Sequence, residues 1–195
     1  TFMITEEDGS MIITGKSEEA LLQGVFAFVR MVCLEELEDS LPYRCTPAMP
    51  LRIMDHWDDM NGSIERGYSG QSFFYEDYKM HYSDRTEMYA RLMASIGTNA
   101  IVINNVNVHK RETYLITDVY LDMVKKYADL FGRYGIKLFL SVNFAAPMEL
   151  GNIPVSDPLD PDVIRWWEQA VKHIYEVIPE FGGFLVKADS EGRPG

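Results

Sequence analysis

The feature that most constrains this chain is an alternation running from residue 51 to residue 186. Short apolar runs recur there, separated by longer stretches whose apolar residues fall at helical spacing. The runs are Leu51-Arg52-Ile53-Met54, Ala100-Ile101-Val102-Ile103, residues 136–142 and Gly183-Phe184-Leu185-Val186. Continuous apolar runs of this length suit strands covered on both faces. Between them, one helix is predicted from Asp84, with Glu87 three residues on, burying Met88, Leu92 and Ile96 before Gly97. A second opens at Thr117 or Asp118, carries Leu121, Val124, Ala128 and Phe131, and stops at Gly135. A third takes Asp160 as N-cap and Pro161 as its first residue, with Ile164, Trp167, Val171, Ile174 and Ile178 on one face. The order β-α-β-α-β-α-β implies parallel strands joined by crossovers. No glycine-rich phosphate loop follows any strand, which weakens a nucleotide-binding sheet. The expectation is an α/β fold carrying the first four βα-type units of a (β/α)8 TIM barrel. It is truncated, because a complete barrel takes about 250 residues.

Residues 1–50 read as a small α/β piece, and residues 51–195 as the first half of the barrel. A hairpin is predicted from the β-prone runs at 2–5 and 11–14, separated by Glu6-Glu7-Asp8-Gly9-Ser10. Ser17 then caps a helix whose apolar positions are Leu21, Val25, Phe28, Val29 and Val32. Pro42, Pro47 and Pro50 mark a linker, with the boundary near Pro50.

Composition removes several function classes. With 18 Lys and Arg against 30 Asp and Glu in 195 residues, the formal charge is −12, the wrong sign for binding nucleic acid or an anionic membrane surface. The longest strongly apolar run, 25–29, falls far short of the roughly 20 residues a membrane span needs. No leader pattern opens the chain, which begins at Thr1 and so is expected to have lost its N-terminus. Cys33 and Cys45 fit no metal motif and are expected as free thiols, a usage that suits the cytoplasm, with an extracellular enzyme as the alternative if a leader was lost with the N-terminus. The four histidines lack zinc-helix pairing, and no nucleophile elbow is present.

Polar and aromatic residues follow each apolar run, where a barrel places its active site. Asp55-His56-Trp57-Asp58-Asp59 follows the first and Asn104-Asn105-Val106-Asn107 the second. Asn143-Phe144-Ala145 follows the third, and Lys187-Ala188-Asp189-Ser190-Glu191 the fourth. Aromatic faces stack on sugar rings while amides, cations and carboxylates bond hydroxyls, so the mixture suits a carbohydrate. Lys187 supplies a positive charge for an anionic group and Glu191 a candidate general acid. Blander readings stand beside these. Trp57 plugs the barrel top, the aspartates form a solvated loop, and His56 is a core residue bonded to a carbonyl. The asparagines satisfy loop backbone, and Lys187 pairs with Glu191 in a structural ion pair. Trp166 and Trp167 are read as packing.

These segments, with Gly62-Ser63-Ile64-Glu65-Arg66-Gly67-Tyr68-Ser69-Gly70 and Asp157-Pro158-Leu159-Asp160-Pro161, resemble the α-glucuronidases of glycoside hydrolase family 67. The resemblance spans nearly the whole chain: the end of the family's N-terminal α/β domain and the first half of its barrel. It implies an inverting glycosidase without metal or other cofactor. Such an enzyme releases glucuronic acid, or its 4-O-methyl ether, from xylo-oligosaccharides in xylan degradation. By motif position it makes Glu191 the acid and puts Trp57 and Lys187 on the glucuronic acid. Glu65 and Arg66 become weaker substrate contacts. The base carboxylates lie on later strands, and the C-terminal region through which bacterial members dimerise is likewise outside this sequence, so this chain alone is expected to be inactive and the full-length enzyme a homodimer. Two alternatives are an N-acetylhexosaminidase-like glycosidase and a non-catalytic carbohydrate-binding barrel. Ser190 counts against the first, because that class wants an acidic pair there. Binding without hydrolysis would mark the second.

Overall fold

The computed structural model describes residues 1–187. The described residues form a mixed α/β fold with two larger sheets and a small two-stranded one. The first is β2-β1-β3, from β1 (Phe2–Glu7), β2 (Ser10–Gly15) and, after two helices, β3 (Tyr43–Cys45). Strands β1 and β2 form the predicted hairpin, paired from Phe2 with Gly15 to Glu7 with Ser10. Asp8 and Gly9 turn it with φ of 51° and 75°, the paired positive values that a two-residue hairpin turn requires. Helix α1 (Glu18–Cys33) begins where Ser17 accepts a hydrogen bond from the Ala20 amide, as the capping pattern predicts. A short α2 (Leu37–Ser40) follows, and then β3 returns to pair antiparallel with β1. The stretch read as a linker therefore contains a strand, with Pro42 and Pro47 flanking it.

Of the five apolar positions predicted to pack in α1, Phe28 does so and the other four point away. Ala20, Gly24, Ala27 and Met31 are buried, the last two packing with Phe2 and Ile4 of the sheet, while Leu21, Val25, Val29 and Val32 are 41–50% exposed. Close approach is the reason. A Cβ on Gly24 would lie 2.7 Å from Ile13 Cγ2, so only the small-residue stripe lets the helix reach the sheet. Leu22 and Phe26, on a third face, pack against the larger core.

The second sheet has the order β4-β7-β8-β9 and is parallel throughout. Its strands β4 (Ile53–Asp55), β7 (Ala100–Val102), β8 (Lys137–Val142) and β9 (Gly183–Val186) are the four predicted runs. A small antiparallel pair, β5 (Tyr75–Glu76) and β6 (Lys79–Met80), lies in the long connection after β4 and was not foreseen. Helices α3 (Asp84–Ser95), α4 (Leu121–Gly132) and α6 (Pro161–Val177) fall between the strands, with a short α5 (Ala146–Gly151) before the last. The core lies on the helix side of the sheet, where Ile101, Ile103, Leu138 and Leu140 meet Ala90, Met93, Val124, Tyr127, Phe131 and Ile174. Asp160 caps α6 through the amides of Asp162 and Val163, ahead of Pro161, as predicted.

Two further expectations are corrected. Only β7 and β8 have the burial of central strands; β4 is exposed along its length and β9 half-buried. Helix α3 also turns the other way. Its capping box is Ser83 with Thr86 rather than Asp84 with Glu87. It buries Thr86, Ala90, Met93 and Ala94, leaving Met88, Leu92 and Ile96 53–69% exposed. Small side chains again face the sheet and the bulky ones point away. Ile164 of α6 is likewise exposed, while Ile174 and Ile178 are buried as expected. Trp166 and Trp167 pack against the core.

Beyond the end of β7, a side chain continues the ladder. The Asn104 amide donates to the Ser141 carbonyl at 3.0 Å and accepts from the Ser141 N–H at 2.9 Å. The Ser141 hydroxyl donates back to the Asn104 carbonyl at 2.9 Å. Both residues are buried, so the Asn104 side chain stands in for a missing peptide rung. Removing it orphans two buried backbone groups, each costing about 1–3 kcal/mol. Asn104→Ala is expected to lower the urea-unfolding stability by roughly 2–5 kcal/mol. A loss within the range of an exposed polar substitution would show that the rung is dispensable.

Candidate functional site

Parallel strands bring the segments that follow them to one end of the sheet. Asp55 ends β4 in register with Val102 of β7, and its carboxylate accepts the Trp57 indole N–H at 3.2 Å. Burial raises the Asp55 carboxyl above its ordinary range, with that indole bond pulling the other way. His56 is a core residue bonded to a backbone carbonyl, the second of its two expected roles. Its Nδ1 donates to the Val102 carbonyl at 2.9 Å, so its Nε2 accepts from the Tyr89 hydroxyl at 2.5 Å. Burial lowers the affinity of the ring for a second proton. The same burial pushes the Tyr89 phenol up to about 12. Both nitrogens are committed.

The Trp57 carbonyl is a junction. It accepts from the Glu65 N–H at 3.0 Å and from the Asn105 amide at 3.4 Å. Glu65 and Arg66 both hold positive φ, 49° and 58°, a costly conformation for two successive non-glycine residues. Trp57, Asp55 and Glu65 line one cleft of about 510 Å³. Arg66 lies beside it, exposed to solvent. A larger cleft of about 850 Å³ opens behind the same loop, lined by Gly62, Gln71, Tyr75, His81 and Arg85 among others. It includes none of the residues at the strand ends, so its size does not make it the site.

The second strand end reaches the fourth. Asn105 Oδ1 accepts the Asn107 N–H at 2.9 Å, and Asn107 Oδ1 accepts a hydrogen bond from the Lys187 ammonium. Lys187 is partly buried directly after β9. Asn143, after β8, accepts from the Ala145 N–H at 3.0 Å and is itself buried. The structure thus links Trp57, Asn105, Asn107 and Lys187 through one chain of hydrogen bonds and puts Glu65 on the same junction. Glu191 and Asp189 lie outside the described residues.

Beneath the cleft the aspartates depart from the solvated loop expected of them: Asp58 and Asp59 are 2% and 3% exposed. Asp58 accepts from the Ser72 hydroxyl, and Asp59 from Ser63 Oγ at 3.1 Å. Glu112, from a 3-10 turn after β7, is also buried and accepts the Met60 N–H at 2.8 Å. These three acids hold the loop through its own donors. Serines four and fourteen positions downstream were the available signal. Among the described residues, no group of three or more His, Cys, Asp or Glu side chains is arranged to hold a metal ion. Cys33 and Cys45 are free thiols.

Burial pushes the Asp58 carboxyl from an ordinary 3.8 up to about 6; the Ser72 bond opposes this and the Asp59 charge adds to it. The unfolded chain therefore releases this proton first as pH rises. The stability of the protonated form is fully present below pH 4 and is lost by the time pH passes about 6. The loss is on the order of 2–3 kcal/mol. Asp58→Asn keeps the acceptor for Ser72 and removes the titration. Its stability relative to the parent, measured by urea unfolding, is expected to rise by that amount between pH 4 and pH 7. Parallel pH curves for the two proteins would contradict the assignment.

The family profile described as "Glycosyl hydrolase family 67 middle domain" matches residues 31–195. The chain is 40% identical over 192 residues to "Alpha-glucuronidase A" of Emericella nidulans, covering 95% of this chain and 22% of that protein. It is 38% identical over a 201-residue alignment to "Alpha-glucuronidase" of Hypocrea jecorina, covering all of this chain and 23% of that protein. The chain thus spans less than a quarter of the length of these curated relatives. A match running from the end of α1 through all four parallel strands leaves one conclusion: this chain belongs to glycosyl hydrolase family 67, with residues 31–195 matching its middle domain.

Proposed function

We propose that this chain is the substrate-gripping part of an α-glucuronidase that removes glucuronic acid, or its 4-O-methyl ether, from xylo-oligosaccharides. The observation that carries the reading is the hydrogen-bonded chain from the Trp57 loop to the Lys187 ammonium at the ends of the parallel strands. A glucuronic acid needs an aromatic surface for its ring and a cation for its carboxylate, and that end of the sheet provides both types. Family membership and the names of the relatives support a glucuronide as the substrate.

In this reading residues 51–195 are the first four βα units of a (β/α)8 barrel, following an N-terminal α/β domain that ends near residue 50. The parallel order β4-β7-β8-β9 and the two open outer strands support it. Trp57 and Lys187 contact the uronic acid, Glu65 and Arg66 the substrate more peripherally, and Glu191 is the general acid. An inverting reaction also needs a carboxylate base across the ring, about 6.5–9.5 Å from the acid. That base comes from later strands of the full-length enzyme, so this chain alone is inactive. The full-length protein is a cytoplasmic homodimer that uses no cofactor. Free thiols at Cys33 and Cys45 support the compartment.

The acid assignment is tested in a full-length polypeptide carrying this chain. Glu191→Ala is expected to slow hydrolysis of substituted xylo-oligosaccharides by about 10²–10⁴-fold. An aryl glucuronide, whose leaving group departs unaided, should lose far less. Equal losses on both substrates would remove Glu191 from the acid role and make Asp189 the alternative.

A further inference from the structure

Lys187 is a long, flexible side chain, and an ammonium on four methylenes loses much rotamer entropy when it is held for a substrate. Something at the end of β9 must set where its charge sits. One group seen doing so lies in the loop after β7: Asn107, eighty residues away in sequence, whose Oδ1 accepts from the Lys187 ammonium.

Asn107 is itself held. Its own N–H donates to Asn105 Oδ1 at 2.9 Å, a local turn that orients the residue. Asn105 is buried, its N–H donates to the Asp58 carbonyl at 2.8 Å, and its side-chain amide donates to the Trp57 carbonyl. Each link therefore has one geometry. Asn107 offers a neutral carbonyl acceptor, which orients the ammonium without itself neutralising the charge.

We propose that Asn107 is a positioning residue that fixes the Lys187 ammonium for the substrate carboxylate and, through Asn105, sets its place relative to the Trp57 loop. This rests on the reading of Lys187 as the uronate contact. Asn107 need not touch substrate; it acts through Lys187.

The test compares competitive inhibition of the full-length enzyme by glucuronic acid and by its neutral amide. The parent is expected to prefer the acid, and Lys187→Ala to abolish that preference. Asn107→Ala is expected to reduce it roughly 3- to 30-fold, the worth of one charge-assisted hydrogen bond held out of place, with the amide's inhibition constant unchanged. Combined with Lys187→Ala, Asn107→Ala should add nothing. Asn107→Asp, which keeps the side-chain shape, sets a competing anion on Lys187 and should reduce the preference at least as far. A preference that survives both Asn107 variants, or losses that add in the double variant, overturns the proposal while leaving Lys187 as the uronate contact. A preference unaltered by Lys187→Ala overturns both.

Discussion

The arrangement at the strand ends depends on the pairing of Asn104 with Ser141. Strand β7 is three residues long, and its ladder to β8 ends where Val102 faces Phe139. Strand β8 continues for three more residues, so the Ser141 backbone would face nothing on that side. The Asn104 side chain fills both its donor and its acceptor needs. This lets the main chain leave the sheet at Ile103 without exposing buried peptide groups, and so frees Asn105 and Asn107 to form a loop. The loop could not start so close to β8 with an apolar residue at 104.

A second constraint lies under the loop after β4. Three acids, Asp58, Asp59 and Glu112, are buried there, which is unfavourable unless donors meet them. Ser72, Ser63 and the Met60 N–H each meet one carboxylate oxygen, while Asp59 Oδ1 and Glu112 Oε2 are buried without a hydrogen bond among the described residues. The consequence is a polar floor that fixes the backbone of 57–65, including the strained pair Glu65 and Arg66. Backbone strain at such a place is tolerated when the surroundings over-determine it. Here the Trp57 carbonyl receives Glu65 from one side and Asn105 from the other, so the two loops share one anchor.

How far the sequence was legible follows from the range of the interactions. The four strand runs and the cap residues Ser17 and Asp160 are local signals, and each stands where the pattern put it. Helix faces were not legible. In α1 and α3 the apolar stripe lies outward and the small-residue stripe packs, because closeness to the sheet and not bulk decides which face is buried. The hairpin of β5 and β6 carries only two residues per strand, too few for alternation to register. At the site, Trp57 and Lys187 drew notice by residue type, but Asn107 could not be told from a loop asparagine. Its partner directly follows a strand two places away in the sheet, and the parallel order brings them together.

The central claim is that the strand ends, and not the larger cleft behind the loop, hold the uronic acid. A crystal structure of the full-length enzyme with glucuronic acid bound tests it most directly. The account predicts the carboxylate within hydrogen-bond distance of the Lys187 ammonium, the Asn107 contact to Lys187 retained, and the sugar ring against Trp57. A sugar bound among Gln71, Tyr75, His81 and Arg85, with Lys187 and Trp57 untouched, would contradict it.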